Sequence, residues 1–161
     1  MSFLIRDMVK GDIKHVQDVA KHSWHSTYDG IIPRDVQDNF LNLAYSDDMM
    51  EKRVKGSYVF VAEMDGNVVG FSNFSEVNDE GQSELSAIYL YQNYQGQGIG
   101  TALLEKGIEV LDDLKQIYID VEKENTIGKT FYDAKGFKTI KEYDDPFDGH
   151  ILKTVRMCLT V

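Results

Sequence analysis

Three glycines at alternate positions, Gly96, Gly98 and Gly100, are the residues of this chain whose spacing most directly indicates chemistry. A glycine-rich turn that leads into a helix leaves several backbone N–H groups without carbonyl partners, all pointing the same way. The helix dipole adds partial positive charge at the same place. Together these features predict an anion site, and phosphate is its most common ligand.

The class of phosphate ligand is narrowed by the residues around the glycines. A nucleotide-binding P-loop needs a lysine before its serine or threonine, and here Gly100 is followed directly by Thr101. A dinucleotide-binding fingerprint needs a third glycine, and Thr101 stands there when the pattern is counted from Gly96. Asp120 lies about twenty residues further on, near the position of a ribose-binding acid, so a dinucleotide-binding enzyme stays open as an alternative.

The segments on either side of the glycines must hold this turn in place. The run 84–90 is rich in strand-forming residues, and apolar residues recur at helical spacing from Ile99 onward. The run 116–121 alternates as a second strand, and 125–135 is predicted as a short helix that ends at Gly136. The glycine turn is therefore expected between the strand 84–90 and the helix that follows it.

The rest of the chain predicts an early helical part and several hairpins. Strands are predicted at 3–6, 58–64, 68–74, 137–143 and 151–159, with a turn at Asp65-Gly66-Asn67 and a loop over 144–150. Helices are predicted from Ile13 to about Ser23, from Pro33 through the apolar positions up to Leu43, and over 46–55. The segment 24–33 is predicted as a loop. These elements indicate a mixed α/β sheet in one domain spanning 1–161.

Two motifs resemble the GNAT superfamily of N-acetyltransferases. Gln95-x-x-Gly98-x-Gly100 is similar to the family's pyrophosphate-binding signature Q/R-x-x-G-x-G/A. The segment 119–137 resembles a later family motif, with matches at Val121, Asn125, Phe131, Tyr132, Gly136 and Phe137. It departs from that motif at Gly128, where alanine is usual, and at Ala134, where a basic residue is usual. N-terminal segments and the first hairpin are also similar to bacterial members, so the resemblance covers most of the chain.

The resemblance implies a fold and a co-substrate. The family fold is a twisted, mostly antiparallel sheet of six or seven strands with about four helices. Its two central parallel strands, here 84–90 and 116–121, splay apart and acetyl-CoA enters between them. The implied cofactor-binding residues are Ile88 and Leu90 through their backbones, Gln95, Gly96, Gln97, Gly98, Ile99, Gly100 and Thr101 at the turn, and Asn125, Lys129 and Tyr132.

The resemblance also implies catalytic roles. An alkyl amine must lose a proton before it attacks a thioester, which costs roughly 4.6 kcal/mol at pH 7. Glu84, eleven positions before Gln95, is the candidate general base, and a solvated carboxylate at the start of a strand is the alternative. The backbone N–H of Leu90 would hold the negative charge that develops on the thioester oxygen. Tyr132 would stabilise the departing thiolate by a hydrogen bond or a proton.

The acceptor is expected to be an amine, and the resemblance places Trp24 and Tyr28 in the loop that shapes its pocket, with Glu84 nearby. Trp24 could equally be a core residue. His22 and His25 lie three positions apart, but no further His or Cys supports a metal, so none is expected. A non-catalytic CoA-binding regulatory module of the same fold is the second alternative.

Composition limits the classes of partner. The 161 residues carry a formal net charge of −10, which argues against a broad nucleic-acid surface and is compatible with a cationic acceptor. The sequence contains no run of about 18 apolar residues, so no membrane span is predicted, and the charged N-terminus is unlike a signal peptide. The single cysteine, Cys158, predicts a reducing cytoplasm and a packing role for its thiol. Many members of the resembled family are dimers, although no stretch of this sequence identifies an interface.

Overall fold

The computed structural model describes residues 2–161, and its seven strands lie in one sheet. The strands are β1 (Leu4–Asp7), β2 (Ser57–Met64), β3 (Asn67–Ser75), β4 (Gln82–Leu90), β5 (Gln116–Glu122), β6 (Lys138–Phe147) and β7 (His150–Thr160). The helices are α1 (Ile13–Thr27), α2 (Arg34–Ala44), α3 (Asp47–Gly56), α4 (Ile99–Val110) and α5 (Thr126–Ala134). Two short 3₁₀ turns span Lys10–Asp12 and Gln92–Tyr94.

The order of the strands across the sheet is β1-β2-β3-β4-β5-β7-β6. The contact between β4 and β5 is parallel because α4 carries the chain back between them, and the other contacts are antiparallel. This confirms the predicted mixed sheet with one central parallel pair. Residues 2–161 form five α-helices, the number that the segment-by-segment prediction gives, where the family resemblance implies about four.

The parallel pair separates after a short stretch, as expected. The register joins Gln82 to Gln116, Ser83 to Ile117 and Glu84 to Tyr118, and the pairing ends there. Beyond that point β4 stays paired with β3 up to Leu90, and β5 stays paired with β7 up to Glu122. Each strand is thus held by its outer neighbour, so the gap between them is a stable feature of the sheet.

Two apolar clusters pack on the two faces of the sheet. Alternate residues of β2 point to opposite faces, so Val61 contributes to the cluster under α1 and α2 and Phe60 to the cluster under α4. A strand buried on both faces is hydrophobic at nearly every position, which explains the apolar run in β2. Helix α4 lies close to the sheet at Gly107, where an added Cβ would be 2.3 Å from the Phe74 ring.

Two predicted loops are wrong in extent. Helix α1 continues to Thr27 rather than ending near Ser23, because Trp24 is buried and stacks on Phe40 with ring centroids 4.4 Å apart. The predicted loop 144–150 is mostly strand. It is a tight hairpin that pairs Phe147 with His150, and its two turn residues have φ of 48° and 77°.

The thiol of Cys158 is less buried than the packing role predicted for it implies. Cys158 is only partly buried, since it lies on a face of β7 that faces away from the apolar cluster containing Met157. Within residues 2–161, none of the helices combines the length and the apolar character that crossing a bilayer would require.

Candidate active site

A cavity of about 390 Å³ opens where β4 and β5 separate. Its walls come from the end of α1, the second half of β4, the glycine turn, the end of β5 and the first turns of α5. Ten of the residues predicted for the site line it: Tyr28, Ile88, Leu90, Gln95, Gly96, Gly98, Gly100, Thr101, Asn125 and Tyr132. The gap in the sheet therefore brings together segments from both halves of the chain.

The glycine turn has the backbone geometry of an anion site. Gly96 and Gly98 have φ of 78° and 85°, a region that costs other residues free energy, and Gly98 is the N-cap of α4. The first helical hydrogen bond runs from Ala102 N–H to Gly98 O over 3.0 Å. The N–H groups of Ile99, Gly100 and Thr101 precede it, so the helix offers them no carbonyl partner.

The backbone of β4 presents polar groups to the gap. Tyr91 N–H donates to Val69 O over 3.0 Å, which makes this a hydrogen-bonded pair of the antiparallel ladder with β3. Such pairs alternate with pairs whose N–H and C=O groups point outward, and Ile88 and Leu90 belong to the outward set. Their backbone groups therefore point toward the side where β5 has parted. Ser23 Oγ donates to Leu90 O over 2.9 Å and ties α1 to this position.

Asn125 and Gly128 shape the start of α5. Asn125 is the N-cap, and its Oδ1 accepts a hydrogen bond from Gly128 N–H over 3.0 Å. An added Cβ on Gly128 would lie 2.6 Å from Asn125 Nδ2. The absence of a side chain at Gly128 thus lets the Asn125 side chain fold back over the helix, in addition to any room that it leaves in the cavity.

Tyr132 projects from α5 into an aromatic setting. Its ring packs edge-on against Phe131 and Phe137, with centroids 5.4 and 5.3 Å away. Burial raises the pKa of Tyr132, with a further contribution from Tyr28. Burial likewise raises the pKa of Tyr28 to about 12, with the Glu122 charge adding to the effect. Both hydroxyls are therefore neutral hydrogen-bonding groups at physiological pH.

Five predicted site residues do not line the cavity: Trp24, Glu84, Gln97, Ile99 and Lys129. Both carboxylate oxygens of Glu84 are hydrogen-bonded to Arg156. Lys129 pairs with Asp133 one helical turn away, at 3.1 Å. The Trp24 ring belongs to the core under α1, and the Ile99 side chain is buried under α4, so only the backbone of Ile99 faces the turn.

Several lining residues escaped the sequence reasoning, above all Ser23, Ser26 and Thr27 in the last turns of α1. A signal for them was present. Val16, Ala20, Trp24 and Tyr28 follow at intervals of four, the spacing of one helical face, and all four are buried. The Asp29-Gly30 pair indicates a turn, and a loop drawn from that turn back to position 24 ends the predicted helix too early.

The charged groups of the cavity wall are acidic. Asp120 and Glu124 line it, and no Lys, Arg or His is among the lining residues that the structure describes. Glu122, next to this wall, is buried and accepts a 2.7 Å hydrogen bond from Glu124 N–H, and burial raises its pKa. Across 2–161, no cluster of three or more His, Cys, Asp or Glu side chains is placed to hold a metal ion.

Comparison with known proteins identifies the family. The model of the acetyltransferase (GNAT) family matches residues 17–137. An uncharacterized N-acetyltransferase of Bacillus subtilis, YuaI, is 34% identical over 157 residues, covering 94% of this chain and 89% of the relative. A spermidine N(1)-acetyltransferase of Thermoplasma acidophilum is 26% identical, covering 86% of this chain and 89% of its own length.

The fold comparison agrees with the sequence comparison. The crystal structure of the PaiA N-acetyltransferase of Thermoplasma acidophilum, solved in complex with coenzyme A, superposes with a TM-score of 0.86. The superposition covers 100% of both chains at 23% identity. From the family match, the relatives and the shared sheet, we conclude that this chain belongs to the acetyltransferase (GNAT) family and is an acyltransferase.

Proposed function

We propose that the protein transfers the acetyl group of acetyl-CoA to a primary amine by direct attack, with both substrates bound at once and no covalent acetyl-enzyme. The observation that carries this proposal is the parting of β4 and β5 beside the glycine turn. The gap has an anion-binding backbone at one end, and the hydroxyl of Tyr132 lies along its wall. We further propose a single domain over 1–161 that acts in the cytoplasm.

The residues around the gap fit acetyl-CoA. The free N–H groups at the start of α4 suit a pyrophosphate, with Gln95, Gly96, Gln97, Gly98, Ile99, Gly100 and Thr101 forming the turn. The outward-facing backbone groups of Ile88 suit an extended arm with amide groups, and the Leu90 N–H lies next along the same edge. Asn125, and Lys129 at the surface of α5, would complete the binding set. When bound, acetyl-CoA supplies an activated acetyl thioester and a thiol leaving group.

Two groups of this chain are placed to stabilise charge during transfer. The Leu90 N–H points away from β3 because its neighbours Tyr89 and Tyr91 pair with β3, and this pairing fixes its orientation. A fixed N–H donor in a cavity shielded from water is an effective oxyanion ligand. The Tyr132 hydroxyl, which is protonated at physiological pH, would donate a hydrogen bond to the departing thiolate.

The proton of the attacking amine needs an acceptor, which is either Glu84 or solvent. Glu84 remains the residue predicted from the sequence, but its carboxylate is bound by Arg156 at the edge of the sheet. To act as the base it must work through water that reaches past this ion pair. The alternative is that the amine loses its proton to solvent before it binds.

The acceptor end of the cavity favours a cationic amine. Tyr28 and the neighbouring hydroxyls of α1 form one side, and Glu124 supplies a negative charge, while the Asp120 carboxylate is already paired with Arg156. Relatives named as spermidine N(1)-acetyltransferases fit the same chemistry. We therefore propose small polyamines as the first acceptors to test, followed by peptide N-termini and other small amines.

The test has a binding arm and a turnover arm. Saturating acetyl-CoA at about 100 times its Kd should stabilise the protein by about 2.7 kcal/mol and raise its Tm by about 5–10 °C. Release of free thiol should then depend on an added amine. Stabilisation without turnover on any amine would favour the CoA-binding regulatory module. Stabilisation by NAD but not by CoA would overturn the proposal in favour of a dinucleotide-binding enzyme.

A further inference from the structure

The Arg156 side chain joins three strands through two carboxylates. Arg156 lies on β7 directly opposite Asp120 on β5, and its Nη1 is 3.2 Å from both Asp120 oxygens. The same Nη1 is 3.3 Å from Oε2 of Glu84 on β4, and Nη2 donates to the other Glu84 oxygen. The guanidinium crosses β5 above the Tyr118 ring, 4.8 Å from its centroid. We refer to Arg156, Glu84 and Asp120 as the Arg156 clamp.

The clamp lies at the point where the sheet opens. Glu84 and Tyr118 form the last register pair between β4 and β5, and the next residue of β4, Leu85, already lines the cavity. Asp120 lines the cavity as well. With backbone pairing ended, a side-chain bridge between the two strands limits how far they separate at the narrow end of the gap.

Arginine is suited to this task. Its planar guanidinium offers several donors in a rigid arrangement, so one side chain can hold a carboxylate on each of two strands. An arginine is charged throughout the physiological pH range, and hydrogen bonding to Glu84 raises the pKa of Arg156 further. The three side chains are 23–48% exposed, which makes the bridge modest in strength and sensitive to salt.

We propose that Arg156 is a positioning residue for acetyl-CoA binding, because the Arg156 clamp sets the separation of β4 and β5 at the narrow end of the cavity. The proposal rests on the proposed function for its ligand. It gives Glu84 a role as a partner of Arg156 that needs no proton transfer. It also explains why Asp120, although it borders the cavity, is held by a guanidinium from a third strand.

A double-mutant cycle on the full-length protein tests the clamp. Acetyl-CoA affinity is measured by calorimetry for the wild type, Arg156→Gln, Glu84→Gln and the double variant. Each single substitution should weaken acetyl-CoA binding by about three- to tenfold. The double variant should bind acetyl-CoA no more weakly than whichever single variant has the lower affinity. Arg156→Lys keeps the charge but lacks the two-armed geometry, so it should recover only part of the loss.

A matched control is available on the same strand. Lys153 on β7 pairs with Asp144 on β6 at 2.6 Å, in an exposed ion pair away from the cavity. Lys153→Gln should leave acetyl-CoA affinity within about twofold of the wild type. Affinity losses that are equal in Lys153→Gln and Arg156→Gln, or that simply add in the double variant, would overturn the proposal.

Hydrogen exchange of the unliganded protein supplies a second readout. In Arg156→Gln the amides of Ala87 and Tyr89, which pair with β3, should exchange several-fold faster than in the wild type, and in Lys153→Gln their rates should not change. Equal rates in all three proteins would overturn the clamp even if the wild type binds acetyl-CoA. A wild type that does not bind acetyl-CoA would overturn the proposed function instead, while the exchange comparison would still test the clamp.

Discussion

At the level of single residues, the site presents tyrosine hydroxyls that are protonated at physiological pH. Tyr28 and Tyr132 line one cavity, and Tyr28 adds to the effect of burial in raising the pKa of Tyr132. A neutral phenol in such a setting donates a hydrogen bond but does not act as a base near pH 7. The chemistry of this site is therefore donation to developing negative charge, by hydroxyl and backbone N–H groups together.

Replacing Tyr132 by phenylalanine removes one such donor with almost no change in volume. Tyr132→Phe should lower kcat by roughly 10²-fold, the usual contribution of a positioned acid, and leave acetyl-CoA affinity within about twofold. Steady-state kinetics and calorimetry give the two numbers. Tyr58→Phe, at an exposed position on β2, is the control and should behave as the wild type. An unchanged kcat would remove Tyr132 from catalysis.

Glu84 has two proposed roles that differ in their dependence on pH. If Glu84 is the base, Glu84→Gln should lower kcat/KM most near neutral pH and less at high pH, where the amine is already deprotonated. Acetyl-CoA affinity would then be unchanged. If Glu84 serves the Arg156 clamp, acetyl-CoA affinity falls and the loss does not vary with pH. A pH profile of kcat/KM together with calorimetry separates the two roles.

At the level of elements, the glycine at the N-cap of α4 and a glycine inside the helix serve different purposes. Gly98 starts the helix in a left-handed conformation, and open space surrounds its Cα. Gly107 has no such conformation and is required because the Phe74 ring lies against it. The first glycine aims the N–H groups of the turn, and the second sets the distance of the helix from the sheet.

This difference gives a matched pair of variants. Gly98→Ala should cost about 1–2 kcal/mol of folding free energy and weaken acetyl-CoA binding by about tenfold or more, because the turn N–H groups are displaced. Gly107→Ala should cost about 1–3 kcal/mol through the clash with Phe74 but leave affinity unchanged. Urea unfolding and calorimetry measure both quantities. Comparable affinity losses in the two variants would mean that the turn geometry does not matter for binding.

At the scale of the whole molecule, buried tyrosines link stability to alkaline pH. The pKa of Tyr28 is raised to about 12, while an unfolded tyrosine titrates near 10. Burial raises the pKa values of Tyr89 and Tyr132 in the same direction. A raised folded-state pKa means that the folded protein holds its protons longer than the unfolded chain. The stability from these groups is complete below pH 10 and is lost as pH rises toward 12.

The free energy of unfolding should therefore stay nearly constant from pH 8 to 9.5 and fall steeply above pH 10. Tyr28→Phe should reduce the loss between pH 10 and 12 by about 2 kcal/mol, since one proton no longer contributes. Urea unfolding at a series of pH values measures the slope, with Tyr58→Phe as the reference. An alkaline slope identical in the two variants would contradict the assignment of Tyr28.

The features that could be predicted from the sequence are those that are local along the chain. The glycine turn before α4, the Asn125–Tyr132 segment and the hairpin at Asp65-Gly66 were predicted because their geometry depends on a few neighbouring residues. The parallel strand pair followed from the strand–helix–strand order. The continuation of α1 was within reach of the same reasoning, but a turn signal near Asp29 was given too much weight.

Contacts between side chains that are far apart in the sequence could be identified only in the folded molecule. Ser23 reaches Leu90 across 67 positions and Arg156 reaches Glu84 across 72, and these contacts depend on strand register and on how α1 packs over the sheet. No local pattern encodes them, because a shift of one residue in register would turn each side chain to the other face. For this reason the sequence could single out Glu84 as a candidate, but it could not indicate its partner Arg156 or its position at the edge of the gap.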